Sequence, residues 1–165
     1  MENIYNKLKI NKKMKKLIIA LVAVFAMGTA NAQIQDLGVR GAFGGGAGAE
    51  LSAMWGLGGN RLETDLGWAG WEHASYINLT CIYQWTWELG GDFGWFAGVG
   101  GNLGLWSNTG GNDGLGLGVA AQIGLEFNPS AIPFQFTLDF RPQWDLIGYH
   151  SGFGYAGALG IRYRF

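Results

Sequence analysis

The sequence predicts an all-β protein: one eight-stranded antiparallel up-and-down barrel that crosses a membrane. Three observations predict it. After Ala32 every recognisable segment alternates with period two, and none carries a helical stripe. The bulky apolar residues fall almost entirely on one of the two faces so defined. The N-terminus reads as an export signal, in the order basic, apolar, small.

Composition narrows the class further. A chain of 165 residues is the size of one domain. It is 15% aromatic and 14% charged, which argues against intrinsic disorder. Its 30 glycines have no three-residue period, so a collagen helix is excluded. Lys7, Lys9, Lys12, Lys13, Lys15 and Lys16 are all the lysines there are. Residues 33–165 set five arginines against eleven acids, a net charge of −6. Such a body has no general basic patch, so no nucleic-acid partner is expected.

Residues 1–32 are expected to be a cleaved signal peptide and residues 33–165 the barrel. Translation begins at Met1 or Met14. After Lys16 comes Leu17–Met27, LIIALVAVFAM, an apolar run of eleven residues. A permanent N-terminal anchor is the alternative, but a spanning helix needs about 20 residues. Gly28–Ala32 reads GTANA, and Ala30-Asn31-Ala32 fits the small-x-small cleavage pattern. No cysteine follows the apolar run, which argues against a lipoprotein anchor. The sole cysteine, Cys81, cannot close an internal disulfide and is expected to pack as a small hydrophobe.

The strands follow in order. Asp36–Phe43 sets Leu37, Val39 and Phe43 against Asp36, Gly38, Arg40 and Ala42. Glu50–Leu57 sets Leu51, Ala53 and Trp55 against Glu50, Ser52 and Met54. Arg61–Gly70 sets Leu62, Thr64, Leu66 and Trp68 against Arg61, Glu63, Asp65 and Gly67. Tyr76–Glu88 sets Ile77, Leu79, Cys81, Tyr83, Trp85 and Trp87 against Asn78, Thr80, Gln84, Thr86 and Glu88. Gly94–Trp106 places Trp95, Ala97, Val99, Leu103 and Leu105 on its apolar face. Leu115–Phe127 sets Val119, Ile123 and Leu125 against Gly118, Gln122, Gly124 and Glu126. Phe134–Arg141 sets Phe134, Phe136, Leu138 and Phe140 against Gln135, Thr137, Asp139 and Arg141. Gly154–Phe165 sets Tyr155, Leu159, Ile161, Tyr163 and Phe165 against Ala158, Gly160, Arg162 and Arg164. Between them lie turn sequences: GGGAG at Gly44–Gly48, Gly58-Gly59-Asn60, SNTGGND at Ser107–Asp113 and NPSAIP at Asn128–Pro133.

Alternation alone does not say which face is wet. A soluble sandwich or barrel would hide the apolar face and expose the other. Here the second face is mostly glycine, alanine and serine plus charges, with no lysine, a poor surface for water. Small residues and matched charges do fit a narrow eight-strand lumen, whereas tryptophan and phenylalanine at every apolar position would overfill it. The aromatics also cluster towards the strand ends. Trp55, Trp85, Trp87, Trp95, Tyr163 and Phe165 approach one rim, and Trp68, Tyr76, Trp106 and Tyr155 the other. Two such girdles mark a transmembrane barrel.

On this reading the inward charges form a lumen ion-pair network: Arg40, Glu50, Arg61, Glu63, Asp65, Glu126, Asp139, Arg141, Arg162 and Arg164, with Asp36 and Glu88 also facing inward. Charges out of water must pair, so a plug is favoured over a selectivity lining. Glu72, His73 and Ser75 form the only catalytic-looking set, an acid, a histidine and a serine suited to a nucleophile relay. Loops collect such residues by default, so no catalytic residue is assigned. The glycine runs Gly44–Gly48 and Gly98–Gly104 lack the lysine and helix context of a phosphate loop. No metal or cofactor is expected, because no Cys/His cluster has ligand spacing.

The signal peptide, the eight segments and the ending Ile161-Arg162-Tyr163-Arg164-Phe165 resemble the small outer-membrane β-barrels of Gram-negative bacteria, porin-like and OmpX/OmpA-like. The stretch Leu125–Arg141, with NPSAIP and LDFRP, resembles small barrels of Bacteroidota. The resemblance implies a monomer in outer-membrane lipid, delivered through recognition of Tyr163 and Phe165 by the barrel-assembly machinery. It implies a non-enzymatic role, structural, adhesive or protective of the envelope. The alternatives are a narrow channel or small-ligand carrier, and a lipid A-modifying hydrolase using His73 and Ser75. With the N-terminus in the periplasm, turns near Gly59, Gly90 and Pro129 are expected on that side, and loops near Gly46, His73, Asn108 and Tyr149 outside.

Overall fold

The computed structural model describes residues 33–44, 48–71, 74–108, 113–147 and 152–165, and side chains for all of these but 69–71, 74, 75, 108 and 113. Eight strands follow one another: β1 Ile34–Gly44, β2 Gly48–Leu57, β3 Asn60–Trp71, β4 Ala74–Gly90, β5 Phe93–Asn108, β6 Asp113–Phe127, β7 Phe134–Ile147 and β8 Gly152–Arg164. Each pairs antiparallel with the next, and β1 pairs with β8, so the sheet closes into an up-and-down barrel. Closure leaves no free sheet edge, the condition for a strand-built wall in lipid.

The connections at one end are short. Leu57 pairs with Asn60 across Gly58-Gly59, a two-residue turn in which Gly58 takes φ 72°. Only glycine enters that region without strain. Gly90 and Phe93 close the β4–β5 turn, and residues 128–133 link β6 to β7, with Asn128 N–H donating to the Asp92 carbonyl at 2.7 Å. Both chain ends of the barrel lie at this end, because the strand number is even.

Parity decides the environment as the alternation predicts. Leu138 is 49% exposed and Ile123 52%, whereas Asp139 on the next position is 4% and Gln122 3%. A belt of half-exposed Leu, Val, Ile, Phe and Trp thus surrounds the molecule. In water this would be an apolar patch far beyond the few hundred Å² that soluble proteins tolerate; in a bilayer it is the wall.

Three departures from the sequence reading have physical causes. First, β7 runs on past Arg141 to Ile147. Pro142 does not end it, because it pairs with Tyr155 on the β8 side while the β6 ladder skips from Gln143 to Phe140. A residue without an N–H is tolerated where a ladder bond is already missing. Second, Tyr76 and Trp106 do not join the outer girdle. They pair with each other on the even positions of β4 and β5, which face the lumen. A Cβ on Gly114 would lie 2.2 Å from the Trp106 ring, so the glycine makes room for the indole. Third, the lumen holds the large apolar side chains of Ile82 and Phe96, each 0% exposed, beside Met54, which the alternation of β2 already turns inward and which is also 0% exposed. The Phe96 ring occupies the space over Gly124, where a Cβ would fall 2.5 Å from it.

Candidate functional site

The lumen is the candidate site, and its polarity follows from strand parity. Every second residue of each strand points inward, so eight strands deliver their small or charged positions to one narrow column. The level nearest the short turns holds Arg61. Its guanidinium lies 2.6 Å from Glu126 Oε2, and its Nε donates to Gln84 Oε1 at 2.6 Å. Phe96 packs against the same guanidinium, 5.0 Å from ring centroid to Cζ.

The next level is built on Arg162. Its Nε donates to Ser52 Oγ at 2.9 Å, Nη1 to Thr137 Oγ1 at 3.0 Å, and Nη2 to Glu63 Oε1 at 2.7 Å. Gln84 Nε2 donates to Glu63 Oε2 and to Gln122 Oε1, and Gln122 Nε2 donates to Asp139 Oδ1 at 3.0 Å.

Arg40 is the hub above. It contacts Glu50, Asp65 Oδ2 at 3.0 Å and Asp139 Oδ1 at 2.6 Å, and lies 3.4 Å from Glu63 Oε1. Arg141 pairs with Asp65 and lies 3.6 Å from both Glu50 and Glu63. Gly160 makes this crossing possible: a Cβ there would stand 2.5 Å from Thr137 Oγ1 and 3.1 Å from Arg40 Cγ. Strands β1, β2, β3, β7 and β8 are joined through this cluster.

Of the residues expected in the network, Arg40, Glu50, Arg61, Glu63, Asp65, Glu126, Asp139, Arg141 and Arg162 are brought together. Arg164 is not. It stands at the short-turn rim, opposite Asp36 in the β1–β8 register, and its Nη2 reaches the Pro129 carbonyl at 3.4 Å. Asp36 is buried beside that rim with no ion pair within 4 Å among the described residues. Glu88 is exposed at the end of β4, beyond the barrel's closed section. The neutral partners Gln84, Gln122, Ser52 and Thr137 were not foreseen as members, although parity already placed them inward.

On the outer face, Trp68, Trp85, Trp87, Tyr163 and Phe165 are exposed and Trp55 and Trp95 half-buried. Trp87 stacks on Trp95 at 4.3 Å, and Tyr163 meets Phe165 edge to face at 5.2 Å. Trp55 Nε1 donates to Thr64 Oγ1 at 2.9 Å, which satisfies its polar edge in an apolar setting. Glu72 and His73 lie outside the described residues. Ser75 pairs through its backbone with Gly70 and Ser107, and its side chain lies outside them. No group of three His, Cys, Asp or Glu side chains among the described residues could hold a metal ion.

No protein-family model matches the chain, and no curated protein matches its sequence. Solved structures do match in shape. The N-terminal β-barrel domain of Pseudomonas aeruginosa OprF superposes with a TM-score of 0.62, at 15% identity over 82% of this chain and 100% of that domain. Neisserial surface protein A (NspA) superposes with a TM-score of 0.57, at 12% identity over 81% of this chain and 96% of that one. The fold is that of the small outer-membrane β-barrels. At these identities the likeness concerns architecture alone.

Proposed function

We propose that this chain is a non-enzymatic integral protein of the bacterial outer membrane, with a plugged lumen and a structural role in the envelope. The observation that carries it is the Arg40 cluster. One guanidinium contacts carboxylates from β2, β3 and β7 and so spans the lumen. Arg162 with Glu63, and Phe96 with Arg61, fill the levels below. A solute would have to break several buried ion pairs to pass, each worth several kcal/mol once one partner is left alone. An adhesive or protective role is compatible with the same architecture.

On this reading residues 1–32 direct export and are removed. The protein is a monomer in outer-membrane lipid, and the short turns face the periplasm. The outward Tyr163 and Phe165, together at the end of the last strand, suit recognition by the barrel-assembly machinery. The experiment is a planar-bilayer recording of the purified, refolded barrel. A flat trace supports the plug. Reproducible unit steps would make the protein a narrow channel, the competing reading.

A further inference from the structure

The geometry points to a small-molecule site in the outer half of the lumen, above the ion-pair cluster, that accepts a primary ammonium group. Parity places Asn78 on β4, Asn102 on β5, Gly118 on β6 and Asp145 on β7 around one side of the column. Their registers connect them: Asn102 pairs with Thr80 and Gly118, and Gly118 with Asp145. Solvent reaches Asn78, Gly118 and Asp145, but not Thr80, Asp65 or Arg141 one step deeper. The result is a recess with a closed floor.

The polar atoms of this recess are unevenly committed. Asn78 Nδ2 donates to Thr80 Oγ1 at 2.9 Å, and Asn102 Nδ2 to Asp145 Oδ1 at 3.0 Å. Both amide nitrogens are therefore used within the protein. Both amide oxygens, Asn78 Oδ1 and Asn102 Oδ1, are buried without a hydrogen-bond partner. Asn102 is 95% buried and its free oxygen lies over Gly118, where a Cβ would stand 2.4 Å from it and 2.7 Å from Asp145 Oδ1. A buried acceptor without a donor is costly. Asn102 Oδ1 beside the Asp145 carboxylate, with Asn78 Oδ1 on the next strand, defines a place for a donor.

The chemistry of that donor is constrained. Asp145 forms no ion pair within 4 Å among the described residues, so the recess is locally negative. Arg141, on the same strand as Asp145, is committed to Asp65 on the floor. A carboxylate or phosphate would meet the Asp145 charge and the two amide oxygens, and the Tyr76 hydroxyl and Trp106 indole N–H are neutral donors that do not offset that charge. A sugar would satisfy the oxygens but leave its own acceptors unmet. An alkylammonium presents three N–H donors and a positive charge. Above the oxygens, Tyr76 and Trp106 stand as a cross-strand pair on the lumen face and offer aromatic surface to a cation or its alkyl stem. The site stands above the plug, so it does not depend on whether the lumen conducts.

The test is an NMR titration of the full, folded barrel in non-ionic micelles with butylammonium, using butyrate and glucose as comparison probes. The expected result is a saturable shift confined to Asn78, Asn102, Gly118 and Asp145 with butylammonium alone. Asp145→Asn should weaken it roughly tenfold or more, and Trp106→Leu by at least about threefold. Heat-dependent gel mobility reports whether each variant is folded; if Asp145→Asn is not, Trp106→Leu decides. No saturable shift, an equal response to butyrate or glucose, or unchanged binding in the folded variants would overturn the site.

Discussion

Arg162 on β8 and Glu63 on β3 meet across the lumen with Nη2 2.7 Å from Oε1, although 99 residues separate them in sequence. Both side chains are closed to solvent. Glu63 is also approached by Arg40 and Arg141 and accepts from Gln84. Removing this carboxylate therefore strands several donors at once. Glu63→Ala is expected to destabilise the barrel by about 3–5 kcal/mol, the usual cost of breaking a buried pair from one side. Urea unfolding in lipid vesicles measures it. A double change of Glu63 and Arg162 to apolar residues of similar volume should cost less than the sum of the single changes.

Phe96 and Gly124 are a size-matched pair. Gly124→Ala places a methyl 2.5 Å from the Phe96 ring and about as close to Asp139 Cβ and the Leu138 carbonyl. Overpacking of this kind costs about 1–3 kcal/mol. Phe96→Ala alone should cost about 3–5 kcal/mol through the cavity it opens beside Arg61. In the Phe96→Ala background, Gly124→Ala should cost less than in the parent. Equal penalties in the two backgrounds would mean the strain is at the β7 backbone instead.

The belt has a depth profile. Leu138→Arg, at mid-wall, should cost about 2–4 kcal/mol when unfolding is followed in bilayers. Ile132→Arg, in the turn between β6 and β7, should cost about 0–1 kcal/mol. Both residues are exposed to a similar degree, 49% and 43%, so side-chain burial does not separate them.

Two tryptophans that both lie near a rim should behave differently. Single-tryptophan versions carrying Trp85 or Trp106 can be placed in vesicles with brominated acyl chains. Trp85, 40% exposed on the outer face, should be quenched. Trp106, inside over Gly114, should be spared.

These outcomes also separate what the residue pattern discloses from what it hides. Strand number, antiparallel order and the sidedness of each strand were legible, because a period of two leaves only one question, which face is wet. The absence of lysine after Lys16 and the bulk on one parity answered it. Hydrophobicity alone does not separate Phe96 and Ile82 from Trp95 and Tyr83 beside them; strand parity turns them inward, and the empty space over Gly124 admits the Phe96 ring. Position near a strand end makes Trp106 read as a girdle residue, whereas counting parity along β5 turns it inward. The extension of β7 beyond Arg141 was not legible, because the missing N–H of Pro142 is harmless only given the gap in the β6 ladder. Within the lumen the charged members were legible by type. Their neutral partners, Gln84, Gln122, Ser52 and Thr137, were not, since only geometry tells which of several inward amides and hydroxyls reaches a carboxylate.

The most direct measurement is fractionation of the cell envelope followed by electrophoresis with and without boiling. A transmembrane barrel with the apolar face outward should be found in the outer-membrane fraction and should migrate differently when left unheated, because the closed sheet survives detergent. Recovery in a soluble periplasmic fraction, with the same mobility in both lanes, would contradict the account and make the apolar belt an interior.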